Sequence, residues 1–211
     1  QGGDALAGTF PAMACNRLDR VDLADPAAPR LRSFTPLPGS LLEVVSTAEG
    51  AVLAVHDATT GQAELRSWRE TAGVETLSKP IEGCGEPAGL AFDRATGDVI
   101  VVGRPSEGSQ NLFASRIGPD QRTCDGMTGL GLQDVFAVAA HGGRWATIGA
   151  PDDDRDEPGA LWVFSEDVRS PPGIAPFPLV SDQRFAAAFV GHAVYVAGEG
   201  RLVNLAAAEG H

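Results

Sequence analysis

Long apolar runs are missing from this chain of 211 residues. A membrane-crossing helix needs about eighteen or more uninterrupted apolar residues, and the most apolar segment, from Phe185 to Gly198, is broken by His192. No membrane insertion is expected. Positive charge is also scarce: sixteen Lys and Arg face twenty-eight Asp and Glu, for a net charge of −12, and lysine is rare among the basic residues. That balance repels phosphate backbones and anionic lipid, so nucleic acid is not an expected partner, whereas cationic ligands and divalent metals suit it better. The three cysteines allow at most one intrachain disulfide, and no CxxC spacing is present to hold zinc. Absent too are a GxSxG nucleophile elbow, a phosphate-cradling glycine loop and any capped amphipathic segment with helical spacing. With 43% hydrophobic residues the chain is nevertheless long enough to bury a core without staples.

What the sequence does contain is a repeat. Segments GDALAG, GAVLAV, GDVIVV, GRWATI and GHAVYV begin at Gly3, Gly50, Gly97, Gly143 and Gly191, so the intervals are 47, 47, 46 and 48 residues. Each glycine after the first follows another short apolar run, LLEVVSTAE, AGLAFDRAT, DVFAVAAHG or QRFAAAFV. The pair reads as a hairpin, strand A then strand B, with turns at Glu49-Gly50, Thr96-Gly97, Gly142-Gly143 and Gly191-His192. A third strand follows in AELRSW, NLFASRI, ALWVFS and RLVNLA, and a fourth is readable in GVETLSKPI and PFPLV.

Four short antiparallel strands per 40 to 50 residues is the blade period of a β-propeller. An immunoglobulin-like sandwich has no reason to place matched glycine-led hairpins at a fixed long interval. The expected fold is therefore all-β: one β-propeller of about five four-stranded antiparallel blades, with repeats at approximately 1–40, 41–86, 87–133, 134–182 and 183–211. The first copy lacks room for strand A and the last lacks a strand D, so either the ends improvise or the chain is part of a larger propeller. The start at Gln1 rather than Met fits a processed or trimmed N-terminus, through signal-peptide removal or because a longer chain precedes it.

The fourth copy, FAVAAHGGRWATIGAPDDDRDEPGALWVFS from Phe136 to Ser165, carries Phe136, Gly149-Ala150-Pro151, Gly159 and Trp162-Val163-Phe164. In these residues it resembles an FG-GAP blade of integrin α-subunit propellers and bacterial surface proteins. The leading Phe-Gly is Phe136-Ala137 here, and the family's Asp-x-Asp-x-Asp-Gly calcium loop is missing, so calcium does not carry over. The first copy resembles bacterial surface propellers with an Asp-x-x-x-Pro-x-x-Pro turn through Asp22, Pro26 and Pro29. These resemblances imply a propeller in an extracellular, cell-surface or periplasmic setting, engaged in adhesion or protein binding.

Candidate sites follow from residue chemistry. Asp152, Asp153, Asp154 and Asp156, with Glu157, crowd one turn and could supply oxygens to Ca²⁺, although they lack EF-hand spacing and also suit a solvated acidic turn. His56, His141, His192 and His211 do not cluster: His141 and His192 fall at A–B turns, and His56 falls on the opposite rim. Cys84 and Cys124 are the expected bridge in an oxidising compartment, with buried unpaired thiols as the alternative. Trp68, Trp145 and Trp162 are expected to wedge between blades. The leading functional expectation is a non-enzymatic module that presents loops to another protein or a surface polymer and requires no cofactor. The alternative is a propeller hydrolase or lyase with a divalent metal in the central channel, for which Asp93, Glu43 and Asp134, in or beside strands A, are the first candidates.

Overall fold

The computed structural model describes residues 4–7, 16–105, 111–120, 122–151, 159–165, 173–178, 186–190, 193–198 and 201–206. Every regular element among them is a β-strand, and every strand pairs antiparallel. The fold is a β-propeller, and its chain divides into two compact units, Gln1–Glu82 and Gly83–His211.

The first unit holds two sheets. One, of order β1-β2-β3, is built from β1 (Asp4–Ala7), β2 (Arg17–Asp22) and β3 (Arg30–Pro36). The other runs β4-β5-β6-β7 through β4 (Gly39–Ser46), β5 (Gly50–Asp57), β6 (Ala63–Thr71) and β7 (Val74–Leu77). Between them lies an apolar layer of Leu18, Leu37, Leu41, Ala51, Leu53, Val55 and Trp68. Burying such side chains stabilises by roughly 1.5–3 kcal/mol each. Polar groups close the outer end of this layer. The Trp68 indole N–H donates to Thr35 Oγ1 at 2.8 Å, the Ser33 and Thr35 hydroxyls donate to Glu75, and Arg20 pairs with Glu70. Burial alone would raise the Glu75 carboxyl, but those two hydroxyls and the Arg20 charge bring it below the ordinary glutamate value.

The second unit holds three sheets. The first is β8 (Glu86–Phe92), β9 (Val99–Arg104), β10 (Phe113–Ile117) and β11 (Cys124–Gly129), in sequence order across the sheet. The second is β12 (Leu132–His141), β13 (Arg144–Pro151), β14 (Gly159–Ser165) and β15 (Gly173–Pro178). The third is β16 (Ala186–Val190), β17 (Ala193–Gly198) and β18 (Arg201–Ala206). Strand β12 packs between β8 and β16, so the first strands of successive sheets lie side by side.

Alternation along β13 explains how one strand serves two interfaces. Trp145 points into a layer with Ile100, Val102, Leu112, Ala114, Leu130 and Leu132, while Ala146 and Ile148 point the other way, onto Val194 and Val196. Trp68 and Trp145 thus fill inter-sheet layers; the Trp162 side chain lies outside the described residues. The β12–β13 hairpin closes through Gly142 and Gly143, whose φ values of 64° and 81° are those of a two-residue type I′ turn. Strand β11 is a fourth strand that the third copy's sequence does not announce.

Candidate functional site

Each complete sheet distorts its innermost strand near that strand's start. The pairing register slips between Leu41 and Glu43 in β4, between Pro87 and Gly89 in β8, and between Leu132 and Asp134 in β12. A bulge of this kind leaves one residue unpaired and re-aims its neighbours, which is why bulges gather beside binding sites. The partner strand must then come very close. A Cβ on Gly103 would lie 2.6 Å from the Glu86 carbonyl oxygen, and one on Gly149 would lie 2.1 Å from that of Asp134. Gly149, part of the triplet that resembles an FG-GAP blade, therefore has a local structural reason for being glycine.

In the second unit these distorted starts assemble a charged face. Glu86 and Arg104 stand opposite each other across β8 and β9, and both are exposed. The Arg104 guanidinium reaches the next sheet, donating Nη2 to the Gln133 carbonyl at 2.8 Å and to Asp134 Oδ1 at 3.4 Å. The Asp134 side chain keeps 65% of its surface accessible and that of Arg104 keeps 43%. The result is a carboxylate, a guanidinium and a carboxylate on one rim, positioned by strand ends rather than by free loops. Such a face offers donors and acceptors to a polyhydroxylated ligand, and its two carboxyl groups are the residue types that acid–base chemistry requires.

The other inner-strand candidates are placed differently. Asp93 is 1% exposed and sits at the opposite rim, in the β8–β9 turn. Its Oδ1 accepts the N–H groups of Ala95 at 2.9 Å and Gly142 at 3.0 Å, and its Oδ2 accepts that of Gly143 at 2.6 Å. Burial pushes this carboxyl up, but the backbone N–H donors outweigh it and hold the group below the ordinary aspartate value. Asp93 is thus a latch on the neighbouring β12–β13 hairpin and not a channel ligand, because backbone donors already occupy the carboxylate. Glu43 is half-buried beside its bulge in the first unit.

A second turn repeats the Asp93 design. Asp57-Ala-Thr-Thr-Gly-Gln and Asp93-Arg-Ala-Thr-Gly-Asp both close on the backbone of their leading aspartate, with Gly61 and Gly97 donating to the Asp57 and Asp93 carbonyls at 2.9 and 2.8 Å. The Thr60 and Thr59 N–H groups hold the Asp57 carboxyl low, against a smaller opposing effect of burial. The shared Asp-x-x-Thr-Gly pattern was the sequence signal for both turns.

Cys84 and Cys124 are joined as a disulfide with a Cα–Cα distance of 5.1 Å. His56 is exposed near the end of β5, and His141 is exposed at the end of β12 with its ring 6.4 Å from that of Phe189. The acidic turn of Asp152, Asp153, Asp154, Asp156 and Glu157 lies outside the described residues, as do Cys15, His192 and His211. Among the described residues no three His, Cys, Asp or Glu side chains gather as a metal site would require.

No family model and no curated protein matches the chain by sequence. Solved structures do match by fold. An exo-β-1,3-galactanase from Clostridium thermocellum aligns over 92% of this chain and 51% of its own, with a TM-score of 0.58 and 10% identity. A GH43_1 enzyme from Xanthomonas citri aligns over 92% and 75%, with a TM-score of 0.54 and 11% identity. Hydrazine synthase from Kuenenia stuttgartiensis aligns over 91% and 71%, with a TM-score of 0.52 and 10% identity. The chain spans about half the length of the galactanases it matches. The similar structures are mostly GH43-type glycoside hydrolases, and at these identities the likeness is one of fold. The FG-GAP resemblance finds no counterpart among these matches.

Proposed function

We propose that this chain belongs to a carbohydrate-active propeller that hydrolyses a glycosidic bond outside the cytoplasm, with the rim of Glu86, Arg104 and Asp134 forming part of the glycan seat. The observation that carries this reading is the exposed carboxylate–guanidinium–carboxylate face at the bulged inner-strand starts. The fold neighbours supply the chemistry to look for, since galactotriose and xylotriose complexes are among them. Glycoside hydrolysis needs one carboxylic acid to protonate the leaving oxygen and one carboxylate to activate water or attack the sugar carbon. Asp134 and Glu86 are the residues in this chain proposed for those roles. The disulfide supports an extracellular, cell-surface or periplasmic location, because such bonds persist in oxidising compartments.

A second reading, a binding module that holds a surface polymer or protein without turnover, is favoured by the pairing of Asp134 with Arg104. One experiment separates the two. The protein is incubated with β-1,3-galactotriose and with xylotriose, with and without calcium, while released reducing ends and binding heat are measured. Turnover that disappears in Asp134→Asn or Glu86→Gln while binding persists supports the hydrolase. Binding with no turnover supports the module, and neither binding nor turnover defeats the carbohydrate assignment.

A further inference from the structure

We propose that the Cys84–Cys124 disulfide is a positioning element for the rim, fixing where Arg104 presents its guanidinium. Cys124 opens β11, the outermost strand of its sheet, while Cys84 lies two residues before Glu86, at the start of the innermost strand. The bond therefore ties the segment entering the inner strand to the far edge of the same sheet. Beyond Cys84 the backbone is seated without clearance. A Cβ on Gly85 would lie 2.0 Å from the Arg104 carbonyl oxygen, and one on Gly103 would lie 3.2 Å from the Cys84 carbonyl and 2.6 Å from that of Glu86. Backbone meets backbone at Gly85 and Gly103 with no side chain between them to absorb a shift. A displacement of Cys84 is thus passed to Arg104, and through its bonds at 2.8 and 3.4 Å to Gln133 and Asp134 on the next sheet. The contiguous route runs from Cys124 through Cys84, the Gly85–Gly103 junction and Arg104 to Asp134. Its geometry stands by itself; its effect on glycan affinity rests on the hydrolase reading above.

Hydrogen exchange on the full chain tests the route. Dithiothreitol gives two electrons and two protons to the bond, producing two cysteine thiols and its own cyclic disulfide. After reduction, or in Cys84→Ser/Cys124→Ser, exchange in residues 86–92, 99–104 and 132–137 is expected to accelerate about tenfold, while residues 193–198 change less than about twofold. Gly103→Ala, which keeps the disulfide but forces the junction apart, is expected to give the same regional pattern even if the double serine variant does not fold. Uniform acceleration across 83–211 would reduce the bond to a general staple and overturn the proposal. Acceleration that stops at 86–92 without reaching 132–137 would overturn it equally. Galactotriose affinity, measured in parallel, is expected to fall about tenfold on reduction; an oxidised protein that binds no sugar fails the function while the exchange pattern still decides the route.

Discussion

Replacing Asp93 with asparagine isolates one polar contact between two sheets of the second unit. The carboxylate accepts several backbone N–H groups, two of them from the tip of the β12–β13 hairpin, at 3.0 Å from Gly142 and 2.6 Å from Gly143. Asparagine keeps the shape and one acceptor oxygen, but its amide nitrogen turns donors toward the Gly143 N–H. A hydrogen bond to a charged group is worth roughly 1.5–3 kcal/mol, and part of the loss is recovered because the glycine tip is exposed and can bind water. The expected destabilisation is therefore about 2 kcal/mol, or on the order of 5 °C in melting temperature for a unit of this size. The pH dependence has a defined sign. The folded Asp93 pKa lies below the ordinary 3.8, so its stabilisation is complete above that value and is lost as the pH falls through the folded one. Melting followed by circular dichroism should show a gap between wild type and Asp93→Asn at pH 7 that narrows in acid below 3.8. A variant that melts within about 1 °C of wild type at neutral pH, with no narrowing in acid, would refute the latch.

Two further outcomes follow from packing. Gly149→Ala places a Cβ 2.1 Å from the Asp134 carbonyl oxygen, so the bulge must move; a loss of about 1–3 kcal/mol is expected in urea unfolding. Trp68 and Trp145, both buried, should respond differently to phenylalanine. Trp68→Phe removes an indole N–H that donates to Thr35 at 2.8 Å, whereas the buried Trp145 Nε1 has no hydrogen-bond partner among the described residues. Chemical denaturation should find Trp68→Phe the costlier change by about 1 kcal/mol.

The repeat was legible because its pacing glycines have backbone duties, though not one common duty. Gly97 and Gly143 turn hairpins with φ near +80°, while Gly50 already lies in β5, where a Cβ would meet the Trp68 carbonyl oxygen at 2.0 Å. Strand β11 was illegible because Cys-Asp-Gly-Met-Thr-Gly has almost no β-forming side chains; its pairing with β10 makes it a strand, across a register shift opposite Gly126 and Met127. Asp93 marks a deeper limit. Sequence places a carboxylate beside an inner strand, but only the fold reveals that backbone N–H groups from a hairpin about fifty residues later occupy it. Arg104 went unnoticed for the opposite reason, since a lone arginine is ordinary. The available signal was its setting, Gly103-Arg104-Pro105, which matches Gly149-Ala150-Pro151 six residues after each pacing glycine, at 97 and 143.

The alternation in β13 sets a reading frame for change. Trp145 belongs to one interface, and Ala146 and Ile148 to the other. Inserting or deleting a single residue there would exchange the two faces at a stroke, thrusting an indole into a space shaped for alanine and leaving a hole where the indole had been. Such a strand can vary in chemistry but not in length.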